Sequence, residues 1–388
     1  MKKYVSQLIM IPGPTPVPNN IALAGAIDMM SHRSGPFKKK ILDLNEKLKN
    51  LFQTKNDVVI ITASGTGGME AAVANCFSKN DKVLICSIGN FGKRWVKLAK
   101  TYGLNAEVLE YAYGQTVDPS AVKAILAKDT NKEIKGVLFQ MNETSTAVLN
   151  NVKEIAAVIK AHGALIVVDA ISGFLATELK TDEWGLDIVI AGSQKAFMIP
   201  PGLAVMAISA KAKAAFETSD LPKFYFNLKA ACKDAAEGQT PYTPAVGLIY
   251  QLIESVKTIE AEGLESVFKR HDRGMKAVRA AARSMGLKLL NEDNATASRA
   301  VTAIFPPEGI KADDIRKILR EDFGITVADG QDELKGKIFR IGHLGYIDGK
   351  DIIAVIACLE IALTKLGAPI KWGQGTTAVQ DVLANYKE

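Results

Sequence analysis

Four short stretches hold residues whose types and spacing suit chemistry. Lys195 stands in Gly192-Ser193-Gln194-Lys195, just past the apolar run Ile188–Ala191 and just before Pro200-Pro201-Gly202. An amine at a strand end loses hydration, its pKa falls, and it can form a Schiff base with a carbonyl compound. The competing reading is an ordinary solvated lysine. Asp169 ends the run Leu165-Ile166-Val167-Val168. A buried carboxylate is costly unless paired, so Asp169 is either a helix cap or other structural acceptor, or the counter-ion of a buried cationic ligand atom. Ser64-Gly65-Thr66-Gly67-Gly68 follows the apolar Ile60-Ile61-Thr62 and opens a helical stretch. Unpaired N–H groups and the dipole at such a helix start suit a phosphate, although a tight turn or a dinucleotide loop reads similarly. Arg340, in Phe339-Arg340-Ile341-Gly342, offers a planar fork to a carboxylate or forms an inter-domain salt bridge.

The elements that must position these groups are legible as a rhythm. Apolar runs at Val58–Thr62, Lys82–Cys86, Ala106–Leu109, Gly136–Gln140, Leu165–Asp169, Ile188–Ala191 and Ala204–Ser209 show little alternation. Strands buried on both faces of a mainly parallel sheet read this way. Residues 36–53, 67–78, 90–102, 118–128 and 151–162 have helix length and composition, so the chain predicts an α/β fold with an open twisted sheet. Ligands of such sheets bind beyond the carboxyl ends of the strands, where Ser64, Asp169 and Lys195 fall. Residues 243–285 read as a long, interrupted helical region. After it, strands at 301–305 and 337–341 alternate with helices at 311–321 and 349–366, as in a smaller α/β domain. Pro12, Pro14, Pro16 and Pro18 force an extended N-terminal arm, placed to pack on that smaller domain. The expected division is an arm over 1–20, a large domain over 21–260 and a small domain over 261–388.

Composition narrows the function class. The chain has 388 residues and a net charge of +6, from 48 basic and 42 acidic side chains. Its densest basic cluster, Lys38-Lys39-Lys40, has no aromatic interleaving and reads as a solvated helix face, not a nucleic-acid patch. Cys76, Cys86, Cys232 and Cys358 lack C-x-x-C spacing, and the four histidines are isolated. Reduced cytoplasmic thiols and no metal site are expected. No apolar run is long enough to span a membrane. Neither the Met-Lys-Lys start nor the Tyr-Lys-Glu end reads as a targeting signal.

A dinucleotide loop wants an acid near the next strand's end, about twenty residues on. Cys86-Ser87-Ile88-Gly89-Asn90 offers none, so a nicotinamide dehydrogenase is disfavoured. The four stretches instead match the needs of pyridoxal 5′-phosphate (PLP) catalysis. Its phosphate needs a helix start, its pyridine nitrogen a carboxylate, its aldehyde a lysine, and the substrate carboxylate an arginine. From Pro12-Gly13-Pro14-Thr15 through Gly345, and most specifically in Gly192–Gly202, the chain resembles the class V aminotransferases of PLP fold type I. The resemblance is to the alanine–glyoxylate / serine–pyruvate branch, with support from Val168–Ser172 and from Asn142-Glu143-Thr144-Ser145-Thr146.

That resemblance implies a seven-stranded, mainly parallel large-domain sheet flanked by helices, and roles for named residues. Lys195 would hold the cofactor as a Schiff base and shuttle the proton. Asp169 would pair with the pyridinium nitrogen. Ser64, Gly65 and Thr66 would bind the phosphate with help from Gln194, Phe91 would stack on the ring, and Thr144 would bond near the ring hydroxyl. Arg340 would take the substrate carboxylate, with Gly13 lining the pocket. Gln239-Thr240-Pro241-Tyr242-Thr243-Pro244 would reach into a second subunit, Thr243 touching its phosphate, so a homodimer with shared sites is implied. The family's mammalian members carry histidine at the place of Thr66, tryptophan at Phe91 and tyrosine at Thr240, which leaves substrate choice open. The expected reaction is ping-pong amino transfer between a small amino acid (alanine, serine or aspartate) and a 2-oxo acid (glyoxylate or pyruvate). The alternatives are a PLP-dependent lyase of the cysteine desulfurase or kynureninase type, with Cys232 or Cys358 as nucleophile, and a non-catalytic binding protein on the same fold.

Overall fold

The computed structural model describes residues 7–386. The first six residues of the expected arm, and the end of the C-terminal tripeptide, lie outside the described residues. Thirteen strands follow in chain order: β1 (Leu8–Met10), β2 (Asp57–Thr62), β3 (Lys82–Ser87), β4 (Asn105–Glu110), β5 (Ile134–Gln140), β6 (Asn142–Glu143), β7 (Val148–Leu149), β8 (Leu165–Asp169), β9 (Ile188–Gly192), β10 (Leu203–Ile208), β11 (Val301–Ile304), β12 (Ile325–Asp329) and β13 (Phe339–Gly342). Seven of them form one sheet in the order β2-β10-β9-β8-β5-β3-β4. Only β10 runs against its neighbours, pairing antiparallel with both β2 and β9.

The central strands are apolar because both faces are covered. Along β8, Leu165 and Val167 point into one core with Met69, Val73 and Trp95. Ile166 and Val168 point into the other, with Phe37, Leu48 and Phe139. That is the two-residue period of a strand between two helix layers. The expectation that all seven runs are doubly buried fails for β4, which is one of the two sheet edges and carries Val108 at 40% exposure. Glu107 and Glu110 on that strand put charge on the open edge, which discourages pairing with another chain.

The region read as interrupted resolves into helices Val246–Glu262 and Leu264–Ser284, broken at Gly263, whose φ is +81°. Beyond it a second sheet has the order β1-β12-β13-β11. β1 runs parallel to β12, so Met10 on the arm enters the core of that sheet beside Val327 and Phe339. Strands β1 and β12, and helices Ala210–Phe216, Leu228–Ala236 and Gln374–Asn385, were not among the sequence expectations. They are short or weakly patterned, and neighbouring elements supply their apolar cover. Lys39 and Lys40 are exposed on the helix Gly35–Phe52, as expected. No helix among the described residues is long and apolar enough to cross a membrane.

Candidate active site

Five loops leave the carboxyl ends of β2, β3, β5, β8 and β9, the end of a parallel sheet where ligands bind. The loop after β9 carries Lys195. Its Nζ donates to the Pro12 carbonyl at 2.7 Å. Thr15 anchors the same loop, with its N–H on the Gln194 carbonyl and its hydroxyl on the Lys195 carbonyl. Gly13 has a φ of +143°, and any Cβ there would overlap the Lys195 amine. The arm therefore passes over the lysine, and only glycine at position 13 leaves it room. Burial lowers the Lys195 pKa to about 8, helped by the Arg340 and Arg94 charges and opposed by Asp169. A substantial fraction of the amine is thus neutral near pH 8.

Asp169 ends β8 and is 4% exposed. One carboxylate oxygen accepts from the Ile171 N–H at 2.9 Å. The other accepts no hydrogen bond among the described residues. Burial raises the Asp169 pKa to about 7, against the Ile171 N–H and the Arg94 and Lys195 charges.

Ser64 precedes the helix Gly65–Cys76, yet its hydroxyl makes no capping hydrogen bond. The Gly65 and Thr66 N–H groups at the helix start have no backbone acceptor among the described residues. A Cβ on Gly65 would strike Ile171, so glycine lets this loop close on the one after β8. The Thr66 hydroxyl accepts from Arg94 at 2.8 Å.

Phe91 lies in the first turn of the helix Asn90–Thr101. Its N–H and that of Gly92 donate to the Glu143 carboxylate at 3.0 and 3.1 Å. Glu143 also accepts from the Ser145 N–H and hydroxyl. Thr144 is buried, and its hydroxyl meets that of Ser172 at 2.6 Å.

Arg340, 4% exposed on β13, forms no ion pair among the described residues, which overturns its inter-domain salt-bridge reading. Instead Nε donates to the Asp329 carbonyl and Nη1 to the Thr144 carbonyl at 2.8 Å. This ties the small sheet to the loops of the large one. Nη2 donates to nothing among the described residues, leaving one edge of the fork for a ligand. Burial lowers the Arg340 pKa to about 10, opposed by Glu143 and Asp329.

PLP fits this residue set. The Gln194 side-chain amide makes no hydrogen bond among the described residues, so its Nε2–H group is free to donate to a phosphate oxygen. The helix start at Gly65 holds unused donors, and Asp169 keeps an unused acceptor whose charge acts on the buried Lys195 amine. Thr243 stands apart. It is exposed on the loop before Val246–Glu262 and makes no hydrogen bond to the other site residues. Sequence reasoning did not assign Arg94 or Glu143. Arg94 stands at i+3 from Phe91 on a helix start, and Glu143 follows the end of β5 much as Asp169 ends β8; both were findable signals.

The chain matches the family model "Aminotransferase class-V" over residues 21–338. It is 44% identical to "Soluble hydrogenase, small subunit" of Synechococcus sp. (strain PCC 6716), over 97% of this chain and 98% of that one. It is 38% identical to the L-aspartate–glyoxylate aminotransferase of Paracoccus denitrificans (strain Pd 1222), over 96% and 95%. The solved ureidoglycine–glyoxylate aminotransferase from Bacillus subtilis superposes with a TM-score of 0.92 at 30% identity, over 99% of each chain. The chain belongs to the class V aminotransferases, PLP-dependent enzymes of fold type I.

Proposed function

We propose that this enzyme moves the amino group of a small amino acid (alanine, serine or aspartate) to glyoxylate or pyruvate, alternating donor and acceptor in one pocket. The observation that carries this reading is the open edge of the Arg340 fork beside the buried Lys195 amine. A 2-amino or 2-oxo acid held by its carboxylate would present its Cα side to that amine. When bound, PLP supplies an aldehyde and an electron-withdrawing ring.

The chain's own groups do the rest. Lys195 would hold the cofactor through its amine and would move a proton at the substrate Cα; its lowered pKa suits both tasks. Asp169, with one carboxylate oxygen unused, would hold a proton at the ring nitrogen. Ser64, Gly65, Thr66 and Gln194 would hold the phosphate, Phe91 would pack on the ring, Thr144 would bond near the ring hydroxyl, and Gly13 would shape the pocket wall. The chain divides into an arm over 1–20, a large domain over 21–260 and a small domain over 261–388, with arm residues 12–15 lying on the Lys195 loop and Arg340 of the small sheet reaching Thr144.

The enzyme works as a homodimer in the cytoplasm. Met29, 74% exposed, and Phe224, 80% exposed, flank the 239–245 loop. Large apolar side chains exposed on either side of one loop suit cover by a partner, and Thr243 would then reach the second subunit's phosphate. The four cysteines are free, as in a reducing compartment. The desulfurase-type lyase finds no support, since Cys232 is buried with its pKa raised to about 12, and Cys358 packs against the small-sheet core.

The test is an absorbance spectrum of the PLP-loaded protein with single amino acids. A visible band that bleaches with alanine, serine or aspartate and returns with glyoxylate or pyruvate supports the reading. A band that none of these amino acids alters overturns it, and loss of the band in Lys195→Ala identifies the attachment residue.

A further inference from the structure

We infer that Arg94 is a cationic partner of the cofactor phosphate, acting with the helix start at Gly65 and Thr66. This rests on reading residues 64–66 as the phosphate loop. Arg94 lies one helical turn after Phe91, so both side chains leave the same face of the helix. Its guanidinium stands over the Phe91 ring at 4.6 Å and reaches Thr66.

Arg94 is half-buried, and no carboxylate lies within ion-pair distance among the described residues. The contrast with its neighbour is direct: Lys93 is bound by Asp332 and Glu333. A guanidinium carries five donors, and only one of Arg94's is used. A partly buried, unpaired cation calls for an anion. The Thr66 hydroxyl, because it accepts from Arg94, is free to turn its own proton toward a further acceptor. The unused N–H groups of Gly65 and Thr66 stand at the same helix start. Arg94 also lowers the pKa of both Asp169 and Lys195, which places its charge at the site. The two site arginines thus divide the anions, Arg340 serving the substrate carboxylate and Arg94 the phosphate.

The experiment compares PLP with pyridoxal, which has the same ring and aldehyde but no phosphate. Each is titrated into the cofactor-free protein and followed by absorbance and protein fluorescence, so no turnover is needed. The wild type should prefer PLP. Arg94→Gln should weaken PLP by about tenfold or more while changing pyridoxal by less than about twofold. Arg94→Lys should recover part of the loss, because the charge returns without the fork. Equal weakening of both ligands by Arg94→Gln would assign Arg94 to the ring or the fold and overturn the inference. Ser64→Ala separates the two readings. If it loses the preference while Arg94→Gln keeps it, the arginine assignment alone fails; if both variants keep it, the phosphate-loop reading fails as well.

Discussion

The end of β8 and the short hairpin of β6 and β7 each bury a carboxylate beside the same site, and the two are treated oppositely. Glu143, on β6, accepts four hydrogen bonds: from the Phe91 and Gly92 N–H groups, the Ser145 N–H and the Ser145 hydroxyl. Asp169 accepts one. Burial raises both pKa values, and four donors oppose it at Glu143. A carboxylate whose lone pairs are filled by its own fold has nothing left for a ligand. Glu143 is therefore a clamp on the helix that carries Phe91, and Asp169 is an acceptor held in reserve. The arginines of the site teach the same lesson, since Arg340 and Arg94 are anchored through neutral groups and keep donors free.

The sharpest way to break the contrast is at Asp169. Asp169→Asn should cut turnover by on the order of 10²–10⁴-fold, as expected for losing a group that sets the ring's protonation. The same change should stabilise the cofactor-free protein. Because the folded pKa of Asp169 is raised from 3.8 to about 7, the protonated form is favoured in the fold. Its stabilisation is complete below about pH 4 and is lost as pH rises to about 7. The asparagine variant should thus melt higher than wild type at pH 8, by roughly 1–4 kcal/mol, and show no such gain at pH 4. Equal melting at both values would mean that Asp169 is as well satisfied as Glu143.

Arg340→Lys comes next. An ammonium cannot hold the Asp329 and Thr144 carbonyls and still offer a fork, so kcat/KM should fall about tenfold to a hundredfold. An unchanged value for every small amino acid would make Arg340 a tie between sheets and nothing more. Glu143→Gln should matter least to chemistry and most to the fold. One oxygen becomes an NH₂ facing either the Phe91 and Gly92 N–H groups or Ser145. The variant should lose about 1–3 kcal/mol of stability in denaturant melts with kcat nearly kept. A large kcat loss without destabilisation would place Glu143 in the chemistry and erase the contrast.

Much of this molecule was determined by sequence alone, because its signals are local. Runs such as Leu165-Ile166-Val167-Val168 announce strands buried on both faces, and a charged or glycine-rich residue at such a strand's end marks a ligand edge. Lys195, Asp169 and the Ser64–Thr66 turn were legible for that reason. Tertiary structure decided what depends on partners distant in sequence. It placed β4 at a sheet edge, drew β1 into the small sheet, and made Gly13 necessary by laying the arm across Lys195. Above all it decided which charged groups are satisfied. The number of donors around Glu143 or carboxylates around Arg94 is set by segments far apart in the chain, and no local pattern of residues encodes it.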